Sequence, residues 1–352
     1  MIVALVLVGG CYPDTFKEPY KLNGGKSISA ETLNKGKESF TLYCRACHGD
    51  KGNGTGPASW SFRPPPRDFT VALFKFAGVS PGTLPHDEDL VRIVRGGLHG
   101  TAMLQWEIPD DDLANVLQYI KTFAPDRWQK EDLGDQIKIT DDPWGAAKKA
   151  DAIERGKKVY HGLSQCLLCH PAYVSKQDIY NYSKELTGTG NSDFRDNMYL
   201  SDLKDSDYTD KNYPPDKEGN YPHVKLLPPD FTYNEVRSVR NLDDPVTSYK
   251  DLYRVIASGI GGTAMPQWQG SLPENDIWAL VYYVHSLMEM RAHMPEAVAA
   301  REKLLHQPAW SPPAEQPAEA PPAEPDKQAK PGSKKPARGR APALSPRPGV
   351  RP

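Results

Sequence analysis

Two stretches of the chain carry the same helical stripe. Leu113, Val116, Leu117 and Ile120 fall at i, i+3, i+4 and i+7, and Ile277, Leu280, Val281 and Val284 repeat that spacing. Such a stripe marks one buried face of an α-helix. Asp110, Asp111 and Asp112 open the first stretch, and Glu274 and Asp276 the second, where negative charge suits a helix N-terminus. Period-two alternation is nearly absent, so the expected fold is mostly α.

The stripes close two copies of a longer pattern. The first copy runs GKESFTLYCRACHG, PPRDFT, GGLHGTAMLQW, IPDDDLANVLQYI; the second runs GKKVYHGLSQCLLCHP, LPPDFT, GIGGTAMPQW, LPENDIWALVYYV. Thr70 to Met103 spans 33 residues, and so does Thr232 to Met265. An internal repeat of this kind predicts two domains of one fold. Their expected limits are 29–126 and 150–292, joined by a polar linker over 127–149 that holds Gly134 and Pro143. The copies differ most after the second motif. His48 lies 22 residues before Thr70, but His170 lies 62 before Thr232, an insertion over about 172–227 rich in Tyr and Asp. It reads as a surface loop ordered by its tyrosines, a docking surface, or a calcium site using Asp202, Asp205, Asp207 and Asp210. The EF-hand spacing and its turn glycine are missing from it.

Composition changes the picture at both ends. Residues 293–352 read as a helix end followed by a disordered basic tail. From about 307 onward Pro, Ala, Lys, Arg and Glu dominate, too few apolar groups to offset the entropy of ordering. The last 26 residues hold eight Lys/Arg and no Asp/Glu, which leaves a net charge of −10 on the preceding 326. An acidic body argues against nucleic acid as a partner. Residues 1–28 read as a signal remnant and a polar tether. MIVALVLVGGC is an apolar run too short to span a bilayer. Its end, Val8-Gly9-Gly10-Cys11, resembles a bacterial lipobox, in which Cys11 would be the lipidated first residue of the mature chain. The competing reading is a clipped ordinary signal with an incidental cysteine.

The other four of the five cysteines carry the chemistry. Cys44-x-x-Cys47-His48 and Cys166-x-x-Cys169-His170 match the attachment pattern of c-type haem. Two thiols three apart sit on one helical turn, where they can add to the two vinyl groups, and the next residue aims its imidazole at iron. A zinc site gives the adjacent histidines no role. A redox Cys-x-x-Cys belongs after a strand in a βαβ unit, and none is visible. The expected cofactors are therefore two haem c, with His48 and His170 as iron ligands.

A methionine thioether is a common opposite ligand. Met103 is the only methionine of the first copy, and Met265 stands at the matching place in the second. Both follow glycines (Gly96, Gly97, Gly100; Gly259, Gly261, Gly262) that let backbone approach a flat ring. The alternative is two core methionines filling gaps. His99 and His161 lie nearby but do not recur, and His86, His223 and His285 read as surface or core histidines. A carbonyl among Pro64–Pro66 or Pro228–Pro229 is placed to accept the Nδ1–H of the proximal histidine. Trp106 and Trp268, three residues past each methionine, read either as haem-edge groups or as core.

Taken together, these motifs resemble a di-haem member of the class I c-type cytochromes over about residues 30–124 and 150–290. The resemblance implies that helices cross at Gly36 with Phe40 and at Gly156 with Tyr160, with Tyr119 and Tyr283 packed on them. It implies electron transfer with His/Met ligation at both irons, in a membrane-associated respiratory chain. The expected partners are redox proteins: a quinol-oxidising complex, a terminal oxidase or reductase, or a small cytochrome. The expected location is the periplasmic side of a bacterial membrane, lipid-anchored. The alternative is a di-haem enzyme such as a cytochrome c peroxidase or a thiosulfate-oxidising cytochrome. Matched methionines in both copies speak against the division of labour such an enzyme needs.

Overall fold

In the computed structural model, which describes residues 14–240 and 244–313, helices carry the architecture and strands are minor. A two-stranded hairpin, β1 (Tyr20–Lys21) and β2 (Ser27–Ile28), precedes the first helix. The stretch read as a tether is thus folded from Asp14 onward. Asn34 accepts from the backbone of Thr15 and Phe16, and Phe16 packs edge-on against Tyr119. Cys11 lies outside the described residues.

Helix α1 (Ala30–Tyr43) starts at Ser29, whose hydroxyl accepts from the Thr32 amide. It runs directly into the short α2 (Arg45–His48), which holds the first Cys-x-x-Cys-His. Helices α3 (Asp87–Gly96) and α4 (Asp110–Lys121) follow, then α5 (Pro125–Trp128). Helices α1 and α4 cross at Gly36. A Cβ there would lie 2.2 Å from the Asn115 carbonyl oxygen, so only glycine lets the backbones meet. Phe40 and Tyr119 pack beside the crossing with ring centres 5.4 Å apart. The predicted stripe of α4 is buried as a core with Phe40, Leu84 and Trp128.

The second copy repeats this arrangement. Helix α6 (Lys149–Lys158) crosses α9 (Glu274–Glu289) at Gly156, where a Cβ would lie 2.0 Å from the Ala279 carbonyl oxygen. Tyr160 packs on Tyr283 at 5.5 Å. Two residues more separate the glycine from the first motif cysteine here than in the first copy. The backbone absorbs them in a π-helical turn, Val159–Leu163, and a left-handed Gln165 at φ 50°. Helix α9 buries nearly its whole circumference, because α6 covers one side and α8 (Pro245–Ser258) another.

The insertion is structured. Helix α7 (Lys176–Thr187) opens with a reciprocal Ser175/Asp178 cap. Ile179, Met198 and Tyr199 then build a third small core on Leu167 of the second motif. The calcium reading fails: no cluster of three metal-binding side chains occurs among the described residues. Asp202 pairs with Lys204, Asp205 with Lys225, and Asp210 with Arg63 instead.

The segment read as a linker is a strap laid over both copies. Gly134 and Ile137 donate to Leu84 and Gly78, while Thr140 and Asp142 accept from Trp278 and Tyr282. Helix α10 (Met294–Leu305) ends the helical part. Order continues past 307, since Trp310 packs on Tyr180 and Phe194 and donates to Gln177. The basic tail lies outside the described residues. No described helix is long and apolar enough to cross a membrane.

Candidate haem sites

The four motif cysteines are free thiols, and the two pairs do not converge on one metal position. Burial pushes the Cys44 thiol up to about 12 and the Cys166 thiol up to about 11. A reactive dithiol needs the opposite shift, toward thiolate. The pairs are therefore placed as thiols, one helical turn apart.

Both histidines are neutral imidazoles of one tautomer. Burial holds His48 and His170 down to about 4, although the hydrogen bond to a carbonyl opposes the shift. His48 Nδ1–H donates to the Arg67 carbonyl at 2.9 Å, and His170 Nδ1–H to the Pro229 carbonyl at 2.9 Å. With the proton on Nδ1, Nε2 carries a lone pair, which is what an iron ligand needs. The expected proline carbonyl holds at Pro229 but not at Pro66. Arg67 occupies the place of Pro229 in the repeat, so the chain keeps the backbone position and changes the residue.

Phe69 and Phe231 were not singled out by the sequence reading. Phe69 stacks on His48 at 4.4 Å and 18°, and Phe231 on His170 at 4.7 Å and 22°. The shared Asp-Phe-Thr explains their placement. Asp68 and Asp230 each accept from the amide and hydroxyl of the threonine two residues on, a tight turn that presents the phenyl ring. Arg195, in the insertion, further holds the second motif by donating to the carbonyls of Leu167 and His170.

The two methionine loops are superposable in their hydrogen bonds. Leu98 N–H donates to the Met103 carbonyl and Ile260 N–H to that of Met265. Thr101 and Thr263 accept from the methionine amides at 3.1 and 3.2 Å, and their hydroxyls donate back to Leu98 and Ile260. The threonine of the shared GTAM is thus the latch of the loop, a role the repeat signalled and the sequence reading left unassigned.

The first set of residues surrounds a cavity of about 1350 Å³, counting its open mouth. Cys44, Cys47 and His48 line it along with Met103, and the rest is largely apolar, with Leu90, Val94 and Ile120 among the walls. Trp106 lines it too, and remains 39% exposed. In the second copy Cys166, Met265 and Trp268 pack against the core that holds Phe231. His161 is apart from both sites, with Nδ1 donating to Lys157 O and Nε2 accepting from the Tyr173 amide. His86 and His223 bond to carbonyls, and His285 lies in the α9 core against Tyr249.

One feature of the cavity bears on what it can hold. Arg67, Lys75 and Arg237 all line it. Burial, then Arg67 and Arg237, bring the Lys75 ammonium down to about 7, and burial lowers Arg237. Among the described residues neither Lys75 nor Arg237 has a carboxylate partner. A flat apolar group that bears its own carboxylates, has two thiol-reactive sites and ligates histidine fits this set; haem c has that chemistry.

Residues 31–120 match a family model described as cytochrome C oxidase, cbb3-type, subunit III. This places a cytochrome c domain in the first copy, and with it haem-based electron transfer. No curated protein matches the chain. Among solved structures it is similar to a chain of the reducing HAO-like protein complex of Kuenenia stuttgartiensis. The identity is 25% over 72% of this chain and 95% of that one, with a TM-score of 0.53.

Proposed function

We propose that this protein transfers electrons through two covalently bound haem c groups, one in each of two tandem cytochrome c domains, 29–126 and 150–292. The observation that carries the proposal is the recurrence of one site in both copies. The carbonyl on the histidine Nδ1, the stacked phenylalanine and the threonine-latched methionine loop all repeat around His48 and His170.

Cys44 with Cys47, and Cys166 with Cys169, would hold the groups covalently. His48 with Met103, and His170 with Met265, would be the axial iron ligands. When bound, haem supplies a one-electron Fe(II)/Fe(III) couple. The chain does the rest. The carbonyls of Arg67 and Pro229 fix the imidazole tautomer, and Phe69 and Phe231 fix the ring planes. The apolar walls exclude water, and Arg67, Lys75 and Arg237 supply positive charge for carboxylates at the first site. If His48 with Met103 and His170 with Met265 hold the two irons, no position would be left open to a substrate, which favours a carrier or cytochrome subunit.

Lipidation at Cys11 would tether the protein to the periplasmic side of a bacterial membrane. Its partners would be a quinol-oxidising complex, a terminal oxidase or reductase, or a small cytochrome. The likeness to a chain from a multi-subunit redox complex supports redox protein partners in general. The same likeness, to an HAO-like complex, supports as second reading a di-haem enzyme with one displaceable ligand.

An absorption spectrum of the purified holoprotein separates the two, with the haem count taken from its pyridine complex. Two haems per chain, both low-spin and neither binding carbon monoxide, are expected. One haem that is high-spin or binds carbon monoxide at neutral pH would overturn the carrier reading in favour of the enzyme.

A further inference from the structure

The insertion reaches from one candidate haem site to the other through a single side chain. Tyr208, 6% exposed, lies under the guanidinium of Arg67, whose Cζ is 3.7 Å from the ring centre. The Lys75 ammonium is 4.5 Å from the same ring. Arg67 is the residue whose carbonyl orients His48. At its other end the Tyr208 hydroxyl donates to the Gly261 carbonyl, and the neighbouring Asp207 amide donates to that of Gly262 at 3.0 Å. Gly261 and Gly262 belong to the loop that ends in Met265.

The loop is pressed onto the first copy as well. A Cβ on Gly261 would lie 2.6 Å from the Phe74 carbonyl oxygen, and one on Gly262 would lie 2.7 Å from Leu73 Cδ2 and 2.8 Å from Tyr208 Cζ. Phe74 and Lys75 line the first cavity. Three segments of distant sequence therefore meet here without space for one added carbon. The insertion is clamped in place on the first copy by Ser59–Asn212 and by the ion pairs Arg63–Asp210 and Lys211–Asp68.

We propose that Tyr208 is a positioning residue for electron exchange between the two haem sites. It ties the segment that orients His48 to the loop that carries Met265. This rests on the two-haem reading above. The step is balanced within the chain: one electron leaves a ferrous haem and reduces the ferric haem of the other site, and no proton or ligand moves. Tyr208 neither accepts the electron nor touches iron. It fixes the separation across which the electron passes, and exchange between fixed centres is steep in that separation. Contact of the ring with the half-buried Arg67 and Lys75 side chains makes it a firm anchor.

The test uses the full-length holoprotein, with one haem reduced by a flash-excited ruthenium complex and relaxation between the haems followed by absorbance. Tyr208→Phe keeps the ring under Arg67 and loses the bond to Gly261; Tyr208→Ala loses both. Lys225→Ala, which removes only an exposed ion pair of the same insertion, is the control. Exchange should slow about tenfold or more in Tyr208→Ala, within what about an ångström of misplacement costs reacting groups. Tyr208→Phe should fall between, and Lys225→Ala should match the parent. The methionine–iron charge-transfer band should persist in all three. An unchanged rate in Tyr208→Phe and Tyr208→Ala, with both bands present, overturns the proposal and leaves the two-haem reading standing. If Tyr208→Ala loses a band, Tyr208→Phe alone decides. Absence of two haems in the parent protein would instead refute the reading beneath it.

Discussion

Replacing Gly36 or Gly156 by alanine sets a local preference against a tertiary contact. Alanine inside a helix is favoured over glycine by about 1 kcal/mol, so an isolated helix would gain. The new Cβ, however, would stand 2.2 Å from Asn115 O at position 36 and 2.0 Å from Ala279 O at position 156. Tyr119 Cβ and Tyr283 Cβ lie behind, at 2.8 and 2.7 Å. Reaching a tolerable 3.0 Å requires a retreat of about 0.8 and 1.0 Å respectively. The obstacle is a helix carbonyl, which cannot rotate away as a side chain could. Overpacking costs roughly 1–3 kcal/mol, and a backbone obstacle belongs at the upper end. Offset by the propensity gain, each variant should lose about 2 kcal/mol. For a unit of about 300 residues, with about 2.1 cal/mol/K of unfolding entropy each, that lowers Tm by about 3 °C. Thermal unfolding of the holoprotein, followed by far-ultraviolet circular dichroism, measures it. Stabilisation by either alanine would refute the crossing geometry, because it would mean that propensity alone decides.

Three further outcomes are expected. Phe231→Ala removes a buried ring and the stack on His170, and should cost about 3 kcal/mol in urea unfolding; a loss under about 1 kcal/mol would count against a packed ring. Asp251, with its side chain 1% exposed, is held by Arg240 and Arg254, so Asp251→Asn should destabilise by about 3 kcal/mol, read from the urea midpoint. Burial holds His161 down to about 4, below its usual 6.5, against a smaller opposing effect of the bond to Lys157. The unfolded chain therefore binds that proton first: the contribution is whole above about pH 6.5 and is lost as pH falls toward 4, on the order of 3 kcal/mol. His161→Gln should show a shallower loss of stability over that window, and an equal slope would argue against a buried neutral imidazole.

Much of this arrangement is legible in the sequence. The stripes of α4 and α9 are buried where their period places them, because one-face periodicity survives any reasonable packing. The two histidine motifs and the matched methionine loops follow from local spacing. What escaped the reading depends on contacts between residues far apart in the chain. Arg67 serves through its carbonyl, which no side-chain pattern reports. Phe69 and Phe231 were left unassigned, although the repeated Asp-Phe-Thr held the clue. Arg195 and Tyr208 act from an insertion that has no counterpart in the first copy, so comparison of the copies was silent about them. The strap over 127–149 looked like a linker because its apolar anchors, Trp128, Ile137, Ile139 and Trp144, follow no helical or strand period, and its other ties are to distant partners, Trp278 and Tyr282.

The π-helical turn at Val159–Leu163 bears on how such chains diverge. A widened turn takes up added length while leaving what lies on either side in phase. Gly156 still meets Ala279, and Cys166 still opens its motif. A chain lengthened at this point keeps both its helix crossing and its attachment site. The turn is a place where evolution can lengthen the chain at little risk, within ten residues of one where it can scarcely alter a single atom.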